Sequence, residues 1–298
     1  MALHRLKPIT LGFIGTGKVG CSLALKLSEK GYPVVAVYDK NQTSARNLAK
    51  SIKGCHAVGS SQDVANSAGF IFVTTTDAEI ASVIAEVKWH EEQSVVHCSG
   101  ADSVAILEPA KKCGAQVGIF HPLQTFPNVE QAVKNMAGST FTLEAEQLLL
   151  DKLKDMVTAL GGHWMELREN GRIAYHAAAV IVSNYLITLI KLATDLWQTF
   201  DIPPEQVIQA LLPLIRGTID SLDTVGIPQC LTGPIARGDA HIIERHLKAL
   251  EESAPNLIAI YRELGLQTIP LALAKGNISQ HQAKELNSIL RGNTKGKT

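Results

Sequence analysis

The chain of 298 residues carries 28 Lys and Arg residues against 28 Asp and Glu residues, so its formal net charge is zero. This length allows two domains with a sizeable core, and the balanced charge gives no electrostatic basis for binding nucleic acid or an anionic membrane. The five cysteines include no C-x-x-C pair, and the ten histidines include no spacing such as H-E-x-x-H. We therefore expect a cytoplasmic protein with free thiols, no secretory signal and no metal site.

A glycine-rich turn follows the first predicted strand, residues 9–14, and opens a helix predicted over 19–29. In this context Gly15 allows a tight turn, Gly17 allows a pyrophosphate to approach the backbone, and Gly20 allows the helix to pack against the strand. Free N–H groups at the helix N-terminus then face the phosphates. The candidate dinucleotide ligands in this turn are Gly15, Thr16, Gly17, Lys18, Val19 and Gly20.

A phosphate-binding P-loop overlaps the same turn, because residues 12–18 read G-x-x-x-x-G-K. A P-loop needs a Ser or Thr hydroxyl at the next position to bind magnesium, and Val19 stands there instead. This difference excludes a nucleoside triphosphatase. A purely structural glycine turn stays as the alternative to a dinucleotide site.

The second predicted strand, residues 34–38, ends at Asp39, which lies 19 residues after Gly20. An acidic side chain at this point hydrogen-bonds the hydroxyl groups of the adenosine ribose, which favours NAD. Lys40 follows directly and could instead bind the 2′-phosphate of NADP. The expected cofactor is therefore NAD or NADP, with NAD favoured by Asp39.

An uninterrupted apolar run predicts a fourth strand, residues 70–74, buried on both faces. It opens into a loop with Thr74, Thr75 and Asp77 at the carboxyl edge of the sheet, where a nicotinamide ribose would lie. Asp77 is predicted to cap the next helix, and that role alone would account for it. Contact between this loop and the cofactor is therefore one of two interpretations.

The fifth and sixth predicted strands, residues 94–97 and 116–120, also lead into polar residues. Ser99 and Gly100 follow the fifth strand, and His121 follows the sixth. The proline after His121 holds this histidine extended and ends the strand. Because ligands bind at the carboxyl ends of strands in an open α/β sheet, His121 is a candidate catalytic residue. A histidine with only a structural role in a loop is the alternative.

A further β–α–β unit is predicted over residues 141–167, after which the pattern is helical. We therefore predict an α/β Rossmann fold, with a doubly wound and mainly parallel sheet, over residues 1–167. A smaller all-α domain for substrate binding and dimerisation is predicted over 168–298. Its predicted helices cover residues 170–200, 204–222, 240–253, 255–264 and 279–290.

The most apolar segment, residues 177–193, lies in the first of these helices. Polar and charged side chains interrupt this segment, so a buried helix is predicted and not a membrane span. His176 and Asn184 are eight residues apart and are expected to share a face of the helix. They are either catalytic residues in a cleft between the domains or polar residues at a helix interface.

The loop over residues 230–239 is the densest polar segment of the second domain. Thr232 can donate a hydrogen bond, and Arg237 can bind a carboxylate or phosphate through two parallel hydrogen bonds. Asp239 is predicted to cap the next helix. Thr232 and Arg237 are therefore candidate ligands of an anionic substrate group.

Four motifs occur together in this order: GTGKVG over residues 15–20, HCSGA over 97–101, HPLQTF over 121–126 and TGPIARGD over 232–239. By these motifs, nearly the whole chain resembles the Rossmann-like NAD(P)-binding oxidoreductases that carry a C-terminal helical domain of unknown function. That family is similar in fold to pyrroline-5-carboxylate reductase, ketopantoate reductase and prephenate dehydrogenase. The resemblance implies a nicotinamide cofactor, a cleft between the domains and a homodimer through the helical domain, but no particular reaction.

A finer likeness to prephenate-dehydrogenase-like enzymes implies roles for two residues. In those enzymes a serine after the fifth strand and a histidine before proline after the sixth strand flank the nicotinamide. Ser99 and His121 occupy the matching positions. The chain lacks the Lys-x-x-x-Asn pair of β-hydroxyacid dehydrogenases, because Val180 stands four residues before Asn184.

The leading hypothesis is an NAD(P)-dependent oxidoreductase that transfers a hydride between nicotinamide and a small carbonyl, imine or alcohol substrate in the cleft. His121 would be the general acid or base, because the unperturbed pKa of histidine suits proton transfer near neutral pH. Ser99 would orient the reacting atom, and Arg237 with Thr232 would hold an anionic group. The alternative is a non-catalytic NAD(P)H-binding redox sensor or regulatory protein, which needs the same glycine turn.

Overall fold

Eight strands form one sheet in the structure, a computed structural model that describes residues 9–167, 171–197 and 200–292. The strands are β1 (Leu11–Ile14), β2 (Val34–Tyr38), β3 (His56–Ala57), β4 (Phe70–Val73), β5 (Ser94–His97), β6 (Gln116–Leu123), β7 (Thr140–Ala145) and β8 (His163–Glu166). They lie in the order β3-β2-β1-β4-β5-β6-β7-β8, and β6 with β7 is the antiparallel pair. This doubly wound arrangement confirms the predicted Rossmann fold.

Helices connect the strands on both faces of the sheet. They are α1 (Lys18–Glu29), α2 (Gln42–Ser51), α3 (Ser61–Ser67), α4 (Asp77–Glu86), α5 (Glu108–Lys112), α6 (Val129–Asn135) and α7 (Gln147–Ala159). Polar residues fix several of their N-termini. For example, the side chain of Asn41 accepts hydrogen bonds from the backbone N–H groups of Thr43 and Ser44 at the start of α2.

Alternate residues of β4 belong to the two cores of the sheet. Phe70 and Phe72 join the cluster that includes residues of α1 and α7, whereas Ile71 and Val73 join the cluster that includes residues of α4. The ring of Phe72 stacks on that of Phe13 with a centroid distance of 4.8 Å. Because β4 is buried on both faces, its sequence is a continuous apolar run, as predicted.

Strand β6 continues past its predicted end at residue 120 and includes His121. Antiparallel pairing with β7 sets His121 opposite Thr142 and extends through Pro122 to Leu123. The pairing of β5 with β6 stops at Ile119, so the end of β6 has one neighbouring strand and tolerates a proline. The prediction that the strand ends before His121 is therefore wrong.

The remaining described chain is helical, as predicted. It contains α8 (Arg172–Val180), a π-helical turn (Ile181–Tyr185), α9 (Leu186–Trp197), α10 (Pro204–Val225), α11 (Ala240–Ser253), α12 (Ile258–Lys275) and α13 (Gln280–Leu290). Helix α12 continues well beyond its predicted end at residue 264, although it contains Pro270. Burial of Ile269 and Ala272 in the core that α12 shares with α11 and α13 offsets the hydrogen bond that this proline removes.

The chain divides into two compact units, of which the first runs to Asn184 and the second begins at Tyr185. Helix α8 thus belongs to the first unit. The predicted domain boundary between residues 167 and 168 stays a prediction. Residues 168 and 170, where the second domain and its first helix were predicted to begin, lie outside the described residues.

The apolar segment over residues 177–193 is exposed in the structure. None of its side chains is buried, and Ile181, Val182 and Ile187 are each more than half exposed. The prediction of a buried helix is wrong, because the described residues do not cover this face. By length and composition alone, Arg172–Trp197 and Pro255–Lys275 could cross a membrane, but such helices also occur in the cores of soluble proteins. The predicted homodimer through this region stays a prediction.

Candidate active site

Each glycine of the turn after β1 has its own structural requirement. Gly15 has a φ of +102°, and a Cβ there would lie 2.6 Å from the backbone of Thr74. A Cβ at Gly20 would lie 2.2 Å from the carbonyl oxygen of Gly15. In contrast, apart from the two chain neighbours of Gly17, no atom of the described residues lies within 4 Å of a Cβ placed at Gly17. This geometry provides the tight turn, the close helix packing and the open approach that a dinucleotide requires.

A pocket of about 490 Å³ opens beside this glycine turn and is called the turn pocket below. The predicted cofactor ligands that line it are Gly15, Gly17, Lys18, Val19, Asp39, Lys40, Thr74 and Thr75. The predicted ligands that do not line it are Thr16, Gly20, Asp77, Ser99 and Gly100. The first turn of α1 has neither an acidic residue nor a side-chain cap, so its backbone N–H groups are available to a phosphate.

Asp39 ties the end of β2 to the glycine turn. Its carboxylate accepts hydrogen bonds from the backbone N–H of Thr16 at 2.6 Å, from the Thr16 hydroxyl at 3.1 Å and from the backbone N–H of Asn41 at 2.8 Å. The Thr16 hydroxyl is also 2.8 Å from the hydroxyl of Ser44. Thr16 is buried and supports the glycine turn, whereas Asp39 lines the turn pocket.

Lys40 is engaged by an acidic residue that the sequence analysis missed. Its ammonium group forms an ion pair with Oε1 of Glu79, which lies in the first turn of α4 and also lines the turn pocket. The second carboxylate oxygen of Glu79 accepts a hydrogen bond from the hydroxyl of Thr76 at 3.2 Å. Lys40 is therefore held by a carboxylate that is itself fixed in place.

Residues at the end of β4 differ in their roles. Thr74 is buried and donates its hydroxyl to the carbonyl oxygen of Gly15 at 2.7 Å, which locks the glycine turn. The hydroxyl of Thr75 is buried without a hydrogen-bond partner among the described residues, which suits contact with a ligand. The prediction that Asp77 caps α4 is wrong, because the backbone becomes helical at Asp77 and Thr76 is the N-cap residue.

A second pocket of about 660 Å³ adjoins the turn pocket and shares Phe126 with it. We call it the histidine pocket, because His121 and His176 line it together with Asn184. Their spacing predicts that His176 and Asn184 lie on the same side of the helical segment, and both side chains line this pocket. The structure thus brings three of the four predicted catalytic residues to one pocket, whereas Ser99 does not line it.

Tyr175 is a residue of the histidine pocket that the sequence analysis missed. Its hydroxyl lies 2.8 Å from Nδ1 of His121, and the two rings are perpendicular with centroids 5.6 Å apart. The hydroxyl of Thr142 lies 3.5 Å from the same nitrogen. The only signal for Tyr175 in the sequence is its position next to His176.

His121 is neutral near pH 7 because of its surroundings. Burial, together with the positive charge of Arg172 and smaller contributions from His176 and His97, lowers the pKa of His121 from 6.5 to about 4. The expectation that its unperturbed pKa suits proton transfer is therefore wrong. Burial raises the pKa of Tyr175, so its phenol also stays protonated. The His121–Tyr175 pair then holds one proton on the imidazole and one on the phenol.

Ser99 supports the turn after β5. Its buried hydroxyl accepts hydrogen bonds from the backbone N–H groups two and three residues later, at 3.2 and 3.1 Å. The backbone N–H of Ser99 donates to Nδ1 of His97 at 3.2 Å. A Cβ at Gly100 would lie 2.8 Å from Nε2 of His121, so this turn packs directly against His121. The predicted role of Ser99 in orienting the substrate stays a prediction.

Buried His97 makes the protein sensitive to acid. Its burial, followed by the charge of Arg172, lowers its pKa from 6.5 to about 4. The unfolded chain therefore binds more protons between these values, and the free energy of unfolding falls as the pH decreases from 6.5 to 4. The expected loss from His97 is about 3 kcal/mol in urea unfolding. His97→Gln should remove the part of this pH dependence that His97 contributes and leave the part that His121 contributes, whereas His163→Gln, at an exposed position of β8, should remove neither part.

The loop of the second unit that was predicted to bind substrate forms a tight turn. A short 3₁₀ helix (Ile235–Arg237) precedes Asp239. Asp239 caps α11 by accepting a hydrogen bond from the backbone N–H of Ile242 at 3.2 Å, which confirms the predicted cap. The side chains of Thr232 and Arg237 are exposed, and their roles as substrate ligands stay predictions.

Two known domain families match this chain, one over its first part and the other over its second part. Residues 3–122 match the model of a Rossmann-like domain, and residues 139–268 match that of a domain of unknown function, DUF2520. The chain joins a Rossmann-like domain to a DUF2520 domain. This match confirms the family resemblance that the four motifs predict. No curated protein matches the sequence.

Solved structures show a similar architecture. A protein from Bacteroides fragilis, provisionally assigned as an NADP oxidoreductase, is 25% identical with a TM-score of 0.69, over 88% of this chain and 97% of that protein. Protein TM1727 from Thermotoga maritima is 25% identical with a TM-score of 0.71, over 88% and 99%. A reductive aminase from Aspergillus terreus in complex with NADPH and ethyl-5-oxohexanoate is 15% identical with a TM-score of 0.61, over 97% and 95%. That last likeness shows the fold alone.

Proposed function

We propose that this protein is an NAD(P)-dependent oxidoreductase that transfers a hydride between nicotinamide and a small carbonyl, imine or alcohol carbon. One observation carries the proposal: Phe126 is a shared wall of the turn pocket and the histidine pocket. A dinucleotide whose phosphates lie at the glycine turn would extend toward a hydrogen-bonded pair, His121 and Tyr175, that can exchange a proton with the substrate. The assigned activity of the Bacteroides fragilis protein supports the same class of reaction.

The residues of the turn pocket fit a dinucleotide. The open approach to Gly17 and the uncapped N-terminus of α1 would bind the pyrophosphate. Asp39 would accept hydrogen bonds from the adenosine ribose, and the unpartnered hydroxyl of Thr75 would bind the nicotinamide ribose. When bound, the reduced nicotinamide supplies the hydride.

The charges of the turn pocket favour NAD over NADP. Three carboxylates line it, those of Asp39, Glu79 and Glu86. Its ammonium groups belong to Lys18, beside the expected pyrophosphate, and to Lys40, which is paired with Glu79. A 2′-phosphate would therefore meet carboxylates, whereas a 2′-hydroxyl can donate to Asp39.

Proton transfer in the histidine pocket follows from the geometry of the pair. With its proton on Nδ1, the His121 imidazole donates to the phenolic oxygen of Tyr175, and the Tyr175 O–H is free to donate to the substrate oxygen or nitrogen. Loss of that proton leaves a phenolate, which the His121 N–H stabilises. No Asp, Glu, Lys or Arg side chain of the described residues lines this pocket, which favours an uncharged reacting group.

The direct test is oxidation of NADH or NADPH with a panel of small ketones, aldehydes and cyclic imines, followed by absorbance of the reduced nicotinamide. We expect substrate-dependent oxidation with at least one of the uncharged compounds. An acidic panel of oxo-acids is included because Arg237 is a predicted anion ligand. Saturable cofactor binding without turnover on any compound would contradict the enzyme and favour the redox sensor.

A valine at Gly17 tests whether the glycine turn binds the cofactor. Since no described residue lies near the Cβ position, Gly17→Val should leave the fold intact and fill the space that the pyrophosphate needs. We expect the Kd of NADH to rise about tenfold or more in a fluorescence titration. Gly217→Ala in α10, where a Cβ also meets open space, is the control and should leave the Kd unchanged. Equal affinities for wild type and Gly17→Val would place the cofactor elsewhere.

A further inference from the structure

Lys40 is the cation best placed to recognise a 2′-phosphate, because it follows Asp39 at the carboxyl end of β2. Its side chain is 73% exposed and lines the turn pocket. A lysine in this position would ordinarily allow NADP to bind. In this chain, however, its ammonium group is already paired with Glu79.

Glu79 is held in place for this interaction by three features. Its side chain is only 35% exposed, and the hydroxyl of Thr76 donates to its second oxygen at 3.2 Å. It lies in the first turn of α4, where the helix dipole stabilises a negative charge. The ion pair lowers the pKa of Glu79 and raises the pKa of Lys40, so both groups stay charged near neutral pH.

A phosphate at the ribose 2′ position adds between one and two negative charges. Beside the adenosine ribose it would face Asp39, and it would compete with Glu79 for Lys40. Separating Lys40 from Glu79 would leave the Glu79 carboxylate unpaired near the phosphate. NADP binding therefore loses an ion pair that NAD binding leaves intact.

We propose that Glu79 is a specificity-determining residue that holds Lys40 away from the 2′ position and thereby selects NAD over NADP. The inference rests on the proposed function, because it requires a dinucleotide in the turn pocket. It assigns the choice of cofactor to a carboxylate on α4, in addition to Asp39 at the end of β2. The local sequence indicates only Asp39 and Lys40, since no pattern in it shows that residue 79 reaches residue 40.

The test is titration of the full chain with NADH and with NADPH, for the wild type and the variant Glu79→Gln. Releasing Lys40 should lower the Kd of NADPH relative to that of NADH about tenfold. Glu86→Gln is the matched control, because Glu86 lines the same pocket but its carboxylate accepts a hydrogen bond from the Ser61 hydroxyl at 3.1 Å. Glu86→Gln removes one negative charge without releasing Lys40. Its effect on the ratio of the NADPH Kd to the NADH Kd should therefore be clearly smaller than that of Glu79→Gln.

Adding Lys40→Gln to Glu79→Gln should abolish the gain in NADPH affinity, because the released ammonium group is then absent. Equal changes of the ratio in Glu79→Gln and Glu86→Gln would overturn the inference, as would a gain that persists without Lys40. A wild type that prefers NADPH would also overturn it. Failure of the wild type to bind either dinucleotide would instead overturn the proposed function.

Discussion

Replacing Tyr175 by Phe is expected to lower kcat by about 10²- to 10⁴-fold, the usual contribution of a positioned proton donor. The oxygen of Tyr175 accepts the hydrogen bond from Nδ1–H of His121 in the proposed mechanism, so the phenolic O–H is the group best placed to give a proton to the substrate. The ring remains in Tyr175→Phe, so the wall of the histidine pocket keeps its shape. The Kd of NADH should stay unchanged, because Tyr175 does not line the turn pocket.

Tyr32→Phe is the control for this variant, since Tyr32 lines neither the turn pocket nor the histidine pocket. It should retain wild-type kcat. His121→Asn should lower kcat as well, again without weakening cofactor binding, because the phenolate loses its N–H donor. Wild-type turnover in Tyr175→Phe would remove this residue from proton transfer. Full activity of His121→Asn would show that the pair does not act as a unit.

Replacing Arg172 by Met is expected to lower the free energy of unfolding by about 3 kcal/mol or more, as loss of one partner from a buried ion pair does. The Arg172 side chain is only 2% exposed, and its Nε donates to Glu144 of β7 at 2.9 Å. Without the guanidinium, the Glu144 carboxylate stays largely buried with no counter-ion. Arg172 is the first residue of α8, and its ion pair attaches this helix to β7. Loss of the guanidinium therefore also weakens the attachment of the helix that carries Tyr175.

Urea unfolding measures this change, with Lys134→Met as the control. Lys134 pairs with Glu130 on the surface of α6, where both side chains are more than half exposed. Breaking that pair should change the free energy of unfolding by about 0.5 kcal/mol or less. An equally small effect for Arg172→Met would contradict a structural role for the buried ion pair.

Arg172→Met should also raise the pKa of His121, since the guanidinium charge disfavours a second charge on the imidazole. Nuclear magnetic resonance of the histidine ring protons would follow this change. A merely structural role for Arg172 would leave the pKa of His121 unmoved in the folded variant. The two measurements therefore separate the support that Arg172 gives to the fold from its effect on the proposed catalytic pair.

Local sequence patterns predict the parts of the site that lie on strand ends. The turn with Gly15 and Gly17 follows β1, and parallel strands place their carboxyl ends at one edge, so the pattern also indicates Asp39, Thr75 and His121. These five positions reach the two adjoining pockets as expected. His176 and Asn184 also line one pocket, as their spacing of eight residues indicates, although Asn184 lies in a π-helical turn that the sequence pattern did not predict.

Residues that act through long-range pairing could not be predicted. Tyr175 is 54 positions from His121, and Glu79 is 39 positions from Lys40. The positions of Tyr175 and Glu79 in the sequence follow no periodic spacing that would indicate these partners. The neutral state of His121 depends on burial and on Arg172, which only the packing of α8 against the sheet reveals.

Calorimetric titration of the wild-type protein with NADH and with NADPH is the most direct test of the proposed cofactor site. We expect saturable binding of one dinucleotide per chain, with NADH bound more tightly. This result would support the turn pocket as the cofactor site and direct the substrate panel to NAD-linked reactions. The absence of heat and saturation with both dinucleotides would contradict the proposed oxidoreductase and the redox sensor alike.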